Sequence, residues 1–264
     1  MTAYRFYLSL AILFCLVVGQ PIKAKEVADD KKRMVYTFGV VPQFGANRIY
    51  KVWRPVLDEL ERRTQVTFTL DGTPDIPSFE KRFLAGDFDF AYMNPYHILK
   101  AHDSAGYIPL IRDTSRSLNG VLVTRKDSGI NSLAELQGAR IAFPAPNALG
   151  ASLLMRYELT ETFGLSFVPI YVKSHSSVYI HVFQKLTPAG GGVLGTLTNQ
   201  KSAIQEELKI IYTTRDMPTH PVVAHPRVST KLQAITQQAL INMASNPEFS
   251  HKLKAIPIHQ PGIA

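Results

Sequence analysis

Cysteine is almost missing from this chain: the 264 residues hold one, Cys15, and it lies in an apolar leader. A mature chain that starts after the leader has neither a disulfide nor a thiolate metal site. Long apolar runs are missing as well. The longest, Phe6 to Val18, is about 13 residues, whereas a membrane-crossing helix needs roughly 20. Arg5 precedes this run and Gly19-Gln-Pro-Ile-Lys-Ala24 follows it. Residues 1–24 therefore read as a secretory signal peptide cut near Ala24, an uncleaved anchor being the alternative. Export without disulfides points to a bacterial periplasm. Charge of one sign is nowhere concentrated. Lys and Arg total 29 against 21 Asp and Glu; without Arg5 and Lys23 the formal charge is about +6. No basic block alternates with aromatics, so no nucleic-acid partner is expected, and the mild excess favours an anion. Residues 25–34 are charged and poor in apolar groups, which reads as a solvated leader.

Catalytic signatures are missing too. The sequence has no G-x-S-x-G elbow, no P-loop, no H-E-x-x-H and no histidine pair at i, i+4. Neither an enzyme, nor a metal site, nor a cofactor is expected. Gly190-Gly-Gly-Val-Leu-Gly195 does satisfy G-x-G-x-x-G, but a helix and Pro188 come where a dinucleotide site needs a strand, and Val193-Leu194 reads as strand where it needs a helix. The glycines instead suit a strand whose backbone closely approaches a neighbour or a ligand.

What is present is an α/β alternation. Val35–Val41 is a strand, and Arg48–Arg63 carries Ile49, Val52, Trp53, Val56, Leu57 and Leu60 at helical spacing, with Trp53 as core. Val66–Leu70 (strand), Pro77–Ala85 (helix) and Phe88–Tyr92 (strand) follow, then strands Tyr107–Ile111 and Gly120–Thr124. A second series runs through Ser132–Leu136 (helix), Arg140–Phe143 (strand), Leu149–Phe163 (helix), Phe167–Val172 (strand), Val178–Lys185 (helix) and the strand Leu208–Tyr212. Thr213–Pro221 is a polar crossing segment, and Thr230–Ala244 a helix with Leu232, Ile235, Ala239, Leu240 and Met243 on one face. Two series with a helical return imply two lobes: residues 35–116 with 216–264, and residues 117–215. The crossings near 117–120 and 213–218 would form the hinge.

Parallel α/β sheets bind ligands beyond the carboxyl ends of their strands. That rule singles out Gln43 and Phe44 after the first strand, and Tyr92, Asn94 and Tyr96 after the third. Those three either bond a polar ligand or merely pin the next helix. The stretch that organises the chain is Ala142–Ser152, where a strand breaks at Pro144 and Pro146 and a helix starts. Asn147 suits an N-cap. The small residues Ala148, Gly150 and Ala151, with Leu149, leave helix-start N–H groups open to an anion at the positive end of the helix dipole. In Ser174-His175-Ser176-Ser177, His175 is placed to donate to a ligand oxygen, while Ser176 or Ser177 suits a helix cap.

Phe38-Gly-Val-Val-Pro42, Trp53-Arg-Pro-Val-Leu57, Gly86-Asp-Phe-Asp-Phe-Ala-Tyr92-Met-Asn-Pro-Tyr96, Arg125-Lys-Asp-Ser-Gly-Ile130 and Ser132-Leu-Ala-Glu-Leu-Gln-Gly138, in this order, resemble the phosphate/phosphite/phosphonate-binding proteins of ABC importers. The resemblance spans about Tyr36 to Ile256 and implies a two-lobed type II periplasmic binding protein fold, each lobe a mainly parallel sheet flanked by helices. It implies a monomer that holds a small ligand between the lobes and delivers it to an ABC permease. A periplasmic module signalling to a membrane sensor protein, a kinase or cyclase, is the alternative. Relatives that bind phosphonates carry Ser-Thr-Ser-Gly where this chain has Ala148-Leu149-Gly150-Ala151, and an acidic residue where Gly190 or Gly191 stands; His175 matches the family's histidine. Loss of the hydroxyls leads to the expectation that orthophosphate and simple phosphonates bind weakly and that a less charged ligand, held by Tyr92, Asn94 and His175, is preferred.

Overall fold

The computed structural model describes residues 33–264. The signal peptide assigned to residues 1–24, and all but Arg33 and Met34 of the solvated leader, lie outside the described residues. Two sheets organise the rest. The first contains β1 (Val35–Val40), β2 (Thr67–Asp71), β3 (Phe90–Tyr92), β4 (Ile108–Asp113), β10 (Pro221–Ala224) and β11 (Pro261–Ile263), in the order β11-β4-β10-β3-β1-β2. The second contains β5 (Gly120–Arg125), β6 (Arg140–Phe143), β7 (Val168–Tyr171), β8 (Ala189–Val193) and β9 (Leu208–Thr213), in the order β7-β6-β8-β5-β9.

Strand directions are more mixed than the expected mainly parallel sheets. β1 runs parallel to β2 and β3, and β6 to β7 and β8. β10, β11, β5 and β9 form the antiparallel pairs, because the chain crosses between sheets and returns. β10 and β11 are not among the strands that the sequence pattern predicts. β10 has four residues and opens on Pro221, a position that tolerates a missing N–H at a strand start, yet it is a buried central strand between β3 and β4.

Helices flank the sheets. α1 (Ala46–Thr64) buries Ile49, Trp53, Val56, Leu57 and Leu60, the stripe its spacing predicts. Trp53 touches Phe38 and Tyr92, with ring centroids 5.2 and 5.0 Å away. α2 (Ile76–Leu84) and α3 (Pro95–Ala105) each carry proline in the first turn, where its missing N–H costs nothing. α4 is a continuous helical run over 149–162 whose end turns are wide: the N–H of Leu153 reaches the carbonyl of Ala148, and that of Phe163 reaches Glu158, five residues back. α5 (His175–Phe183), α6 (Leu194–Leu197), α7 (Ser202–Glu207), α8 (Thr230–Ala244) and α9 (Pro247–Ala255) complete the set.

Several local expectations change. The helix read at Ser132–Leu136 is one tight turn, Ala134–Leu136. Leu194 opens α6 instead of extending a strand, since β8 ends at Val193. On α8, Ile235 is 38% exposed, whereas Gln233 and Thr236 face inward. α8 packs on α1, α9, β4 and β11, the first sheet's elements. The main core runs from Phe38 and Trp53 to Leu253, and Ala145, Ala148, Ala151 and Val193 join it from the second series. That junction carries the candidate site.

Candidate functional site

β6 ends at Phe143, Pro144 and Pro146 turn the chain, and α4 begins at Leu149. Asn147 does not cap this helix. Its Nδ2 donates to Glu80 Oε2 at 3.2 Å and its carbonyl accepts from Asn94 Nδ2 at 3.2 Å. Ala148 stands at the cap position and has no side-chain oxygen to offer, while its carbonyl takes the N–H groups of Ser152 and Leu153 at 2.8 and 3.1 Å. The N–H groups of Leu149, Gly150 and Ala151 find no acceptor among the described residues. Three donors therefore converge at the positive end of α4.

They border a small cavity of about 10 Å³ also lined by Gln43, Asn94, His175 and His220, at the scale of one water. Val41, Ile76, Leu118 and Val193 close it, and no charged side chain lines it among the described residues. Whatever polarity the cavity offers comes from amides, imidazoles and a helix dipole.

The two imidazoles come from opposite parts of the chain. Ser174, not Ser176 or Ser177, caps α5 by accepting from the N–H of Ser177 at 3.1 Å. This holds His175 at the first helical position, 3% exposed. Its Nδ1 is 3.5 Å from Thr196 Oγ1, and its Nε2 has no protein partner among the described residues. His220 is 8% exposed, stacks on Tyr92 at 5.3 Å, and accepts at Nε2 from Gln43 Nε2 at 3.1 Å. Burial pushes His175 down to about 4. Burial first, then the nearby His97 and His175, pushes His220 down to about 3. Both rings are neutral at pH 7. The sequence reading missed His220 because it lies in the crossing segment before Pro221, far in sequence from every other lining residue.

The depressed values have a consequence for stability. Unfolded histidines take up protons near pH 6.5, whereas the buried rings refuse them until about pH 4 and 3. Between those limits the unfolded chain binds more protons, so stability present above pH 6.5 is lost as pH falls. Tm of the unliganded protein should drop as pH falls from 7 to 5, and less steeply in His175→Gln. Parallel slopes for the two proteins would contradict neutral burial of His175.

The remaining sequence candidates separate. Gln43 lines the small cavity and also an adjoining chamber of about 310 Å³, which Phe44 and Tyr92 line too. Asn94 reaches the small cavity, but its side chain is engaged: Oδ1 caps α3 through the N–H of His97 at 2.8 Å, and Nδ2 meets Asn147 and His97. It therefore pins α3. Tyr96 lies elsewhere, in an apolar surface depression with Pro95, Leu99 and the outer side of Leu149. Of Tyr92, Asn94 and His175, the structure places Asn94 and His175 at the small cavity and Tyr92 in the chamber beside it.

The glycine run is explained by packing. A Cβ at Gly190 would lie 2.5 Å from Val178 of α5, one at Gly191 would lie 2.3 Å from the carbonyl of Ala151, and one at Gly192 would lie 2.1 Å from the Tyr179 hydroxyl. β8 is thus gripped between α5 on one face and the start of α4 on the other, the close approach that its glycines suggested. Among the described residues no three His, Cys, Asp or Glu side chains converge as metal ligands.

The family model described as "ABC transporter, phosphonate, periplasmic substrate-binding protein" matches residues 38–262. The chain belongs to this family. It is a substrate-binding component of an ABC transporter, with the α/β fold of type II periplasmic binding proteins. Its fold is similar to that of a binding protein component of an ABC phosphonate transporter from Pseudomonas aeruginosa, with a TM-score of 0.80 at 16% identity over 88% of this chain and 82% of that one. It is equally similar to PhnD1 from Prochlorococcus marinus, solved in complex with methylphosphonate, with a TM-score of 0.79 at 17% identity over 87% and 92% of the two chains. The BvgS VFT2 domain of Bordetella pertussis matches at a TM-score of 0.56 and 17% identity over 84% and 92%.

Proposed function

We propose that this chain captures the oxyanion head of a phosphonate- or phosphate-like solute at the start of α4 and delivers it to an ABC permease in the periplasm. The observation that carries this reading is the set of three unpaired N–H groups at Leu149, Gly150 and Ala151, facing a cavity that also holds the free Nε2 of His175. An oxyanion accepts from all three donors at once and sits on the helix axis, where the dipole favours negative charge. With Ala148 and Leu149 offering no hydroxyls, the grip is weaker than a Ser-Thr-Ser turn provides, each charge-assisted hydrogen bond contributing roughly 1.5–3 kcal/mol. The family match favours this role over a sensor module.

The same proposal includes two lobes, residues 35–116 with 216–264, and residues 117–215, that close on the ligand. The crossings pair with each other: Leu118 and Met217 exchange backbone hydrogen bonds of 2.8 and 3.0 Å, and Asn119 bonds Asp216. A hinge there would open contacts such as Arg48 to Asn199, held by bonds of 2.8 and 2.7 Å. The protein works as a monomer, exported with loss of residues 1–24; an intact mass that retains Met1–Ala24 in periplasmic material would contradict that export step.

Calorimetric titration of the mature protein with methylphosphonate tests the reading. One saturable site is expected, weakened about tenfold or more in His175→Ala, since a hydrogen bond to a charged group is lost. Absence of any heat, with phosphate equally silent, would contradict it.

A further inference from the structure

A chamber of about 310 Å³ adjoins the oxyanion cavity. It shares Gln43, Leu118, Val193 and His220 with the small cavity, so a ligand whose head sits at α4 extends its substituent here. Arg116 is the only charged side chain lining the chamber among the described residues, and no Asp or Glu lines it. We propose that the chamber is a second recognition site for an anionic substituent, so that the preferred solute is a phosphonate or phosphate carrying a carboxylate or similar acidic end, and that ammonium-bearing phosphonates are disfavoured. This rests on the oxyanion reading of α4, names the substrate class for it, and replaces the less charged ligand that the missing hydroxyls suggest.

Arg116 is free to act. Its Nε donates to Asp113 Oδ2 at 3.2 Å and its Nη2 to the Pro257 carbonyl at 3.3 Å, and Nη1 has no partner among the described residues. Asp113 pairs with the guanidinium from behind and does not line the chamber. Fully buried, its carboxylate also accepts from the Ser115 N–H and hydroxyl at 3.0 and 2.7 Å and from the N–H groups of His259 and Gln260, both at 3.1 Å. Four other donors hold that carboxylate away from the chamber, which it does not line, so of the ion pair only the guanidinium, 44% exposed, is presented to a ligand there. Tyr92 adds a neutral donor there. It is 4% exposed, lines the chamber, and its hydroxyl has no hydrogen-bond partner among the described residues. A planar carboxylate accepts from guanidinium and phenol together, whereas an ammonium would meet a cation and no carboxylate lining the chamber.

The test titrates the mature protein with methylphosphonate, phosphonoacetate and 2-aminoethylphosphonate, and repeats the series on Arg116→Gln. Phosphonoacetate should bind at least tenfold tighter than methylphosphonate, with 2-aminoethylphosphonate the weakest. Arg116→Gln should erase the advantage of phosphonoacetate while leaving methylphosphonate within about twofold. Methylphosphonate binding with 2-aminoethylphosphonate tightest, or a phosphonoacetate advantage that survives Arg116→Gln, overturns the second site and leaves the oxyanion reading standing. Silence from all three ligands overturns both. Should Arg116→Gln lower Tm through Asp113, Arg116→Lys keeps the charge without the planar fork, and its phosphonoacetate preference must then fall between those of wild type and Gln.

Discussion

Gly120→Ala should cost this protein both stability and ligand. The new Cβ would lie 2.0 Å from the carbonyl oxygen of Gly150 and 2.8 Å from its carbon, with Thr214 Cγ2 at 2.9 Å. A side chain rotates away from such a contact, but a carbonyl in the first turn of a helix moves only with the helix. Gly192→Ala is the milder comparison, because its main obstacle is the far end of the Tyr179 ring. Overpacking of a close-fitted site costs about 3 kcal/mol, which for a domain of this size is roughly 6–12 °C in Tm. The carbonyl that yields belongs to the turn whose N–H groups form the cradle, so methylphosphonate affinity should fall by an order of magnitude or more. Gly72→Ala, with nothing within 4 Å of its Cβ, serves as the control and should change neither quantity. Differential scanning calorimetry and titration on the three proteins check this; a Gly120→Ala protein with wild-type Tm would refute the close packing of β5 on α4.

Much of the fold was legible because periodicity reports burial. α1 buries the apolar stripe its spacing predicts, β6 spans the residues its sequence predicts, and the strand-turn-helix step at Pro144 and Pro146 rests on residues that tolerate few other conformations. β10 and β11 were not legible. Each is short, begins with proline, and is a strand only because distant partners supply its hydrogen bonds. The site divided along the same line. Gln43, Ala148–Ala151 and His175 follow strand ends or open helices, so the rule about carboxyl ends of strands finds them. His220 and Arg116 belong to crossing segments, whose place beside the cavity is set by the return of the chain and not by local pattern. Asn94 and Asn147 carry the right chemistry, but each is engaged by the other and by neighbours on α2 and α3. No local sequence feature distinguishes an amide that binds ligand from one that ties two helices.

Anion capture at α4 depends most on the helix-start N–H groups, and one of them can be removed cleanly. Leu149 is the first residue of α4, where proline is well tolerated because that N–H has no intrahelical partner. Ala148 before it is extended, at φ −67° and ψ 98°, outside the helical region that a following proline disfavours. Leu149→Pro therefore deletes a donor without breaking the helix, and Leu149→Ala loses the same packing but keeps the donor. Titrating methylphosphonate into both should show the proline protein weaker by roughly 10–150-fold, the worth of one hydrogen bond to a charged acceptor, at Tm values within a few degrees of each other. Equal affinities in two folded proteins would mean that the anion is not held at the start of α4, and would contradict the account.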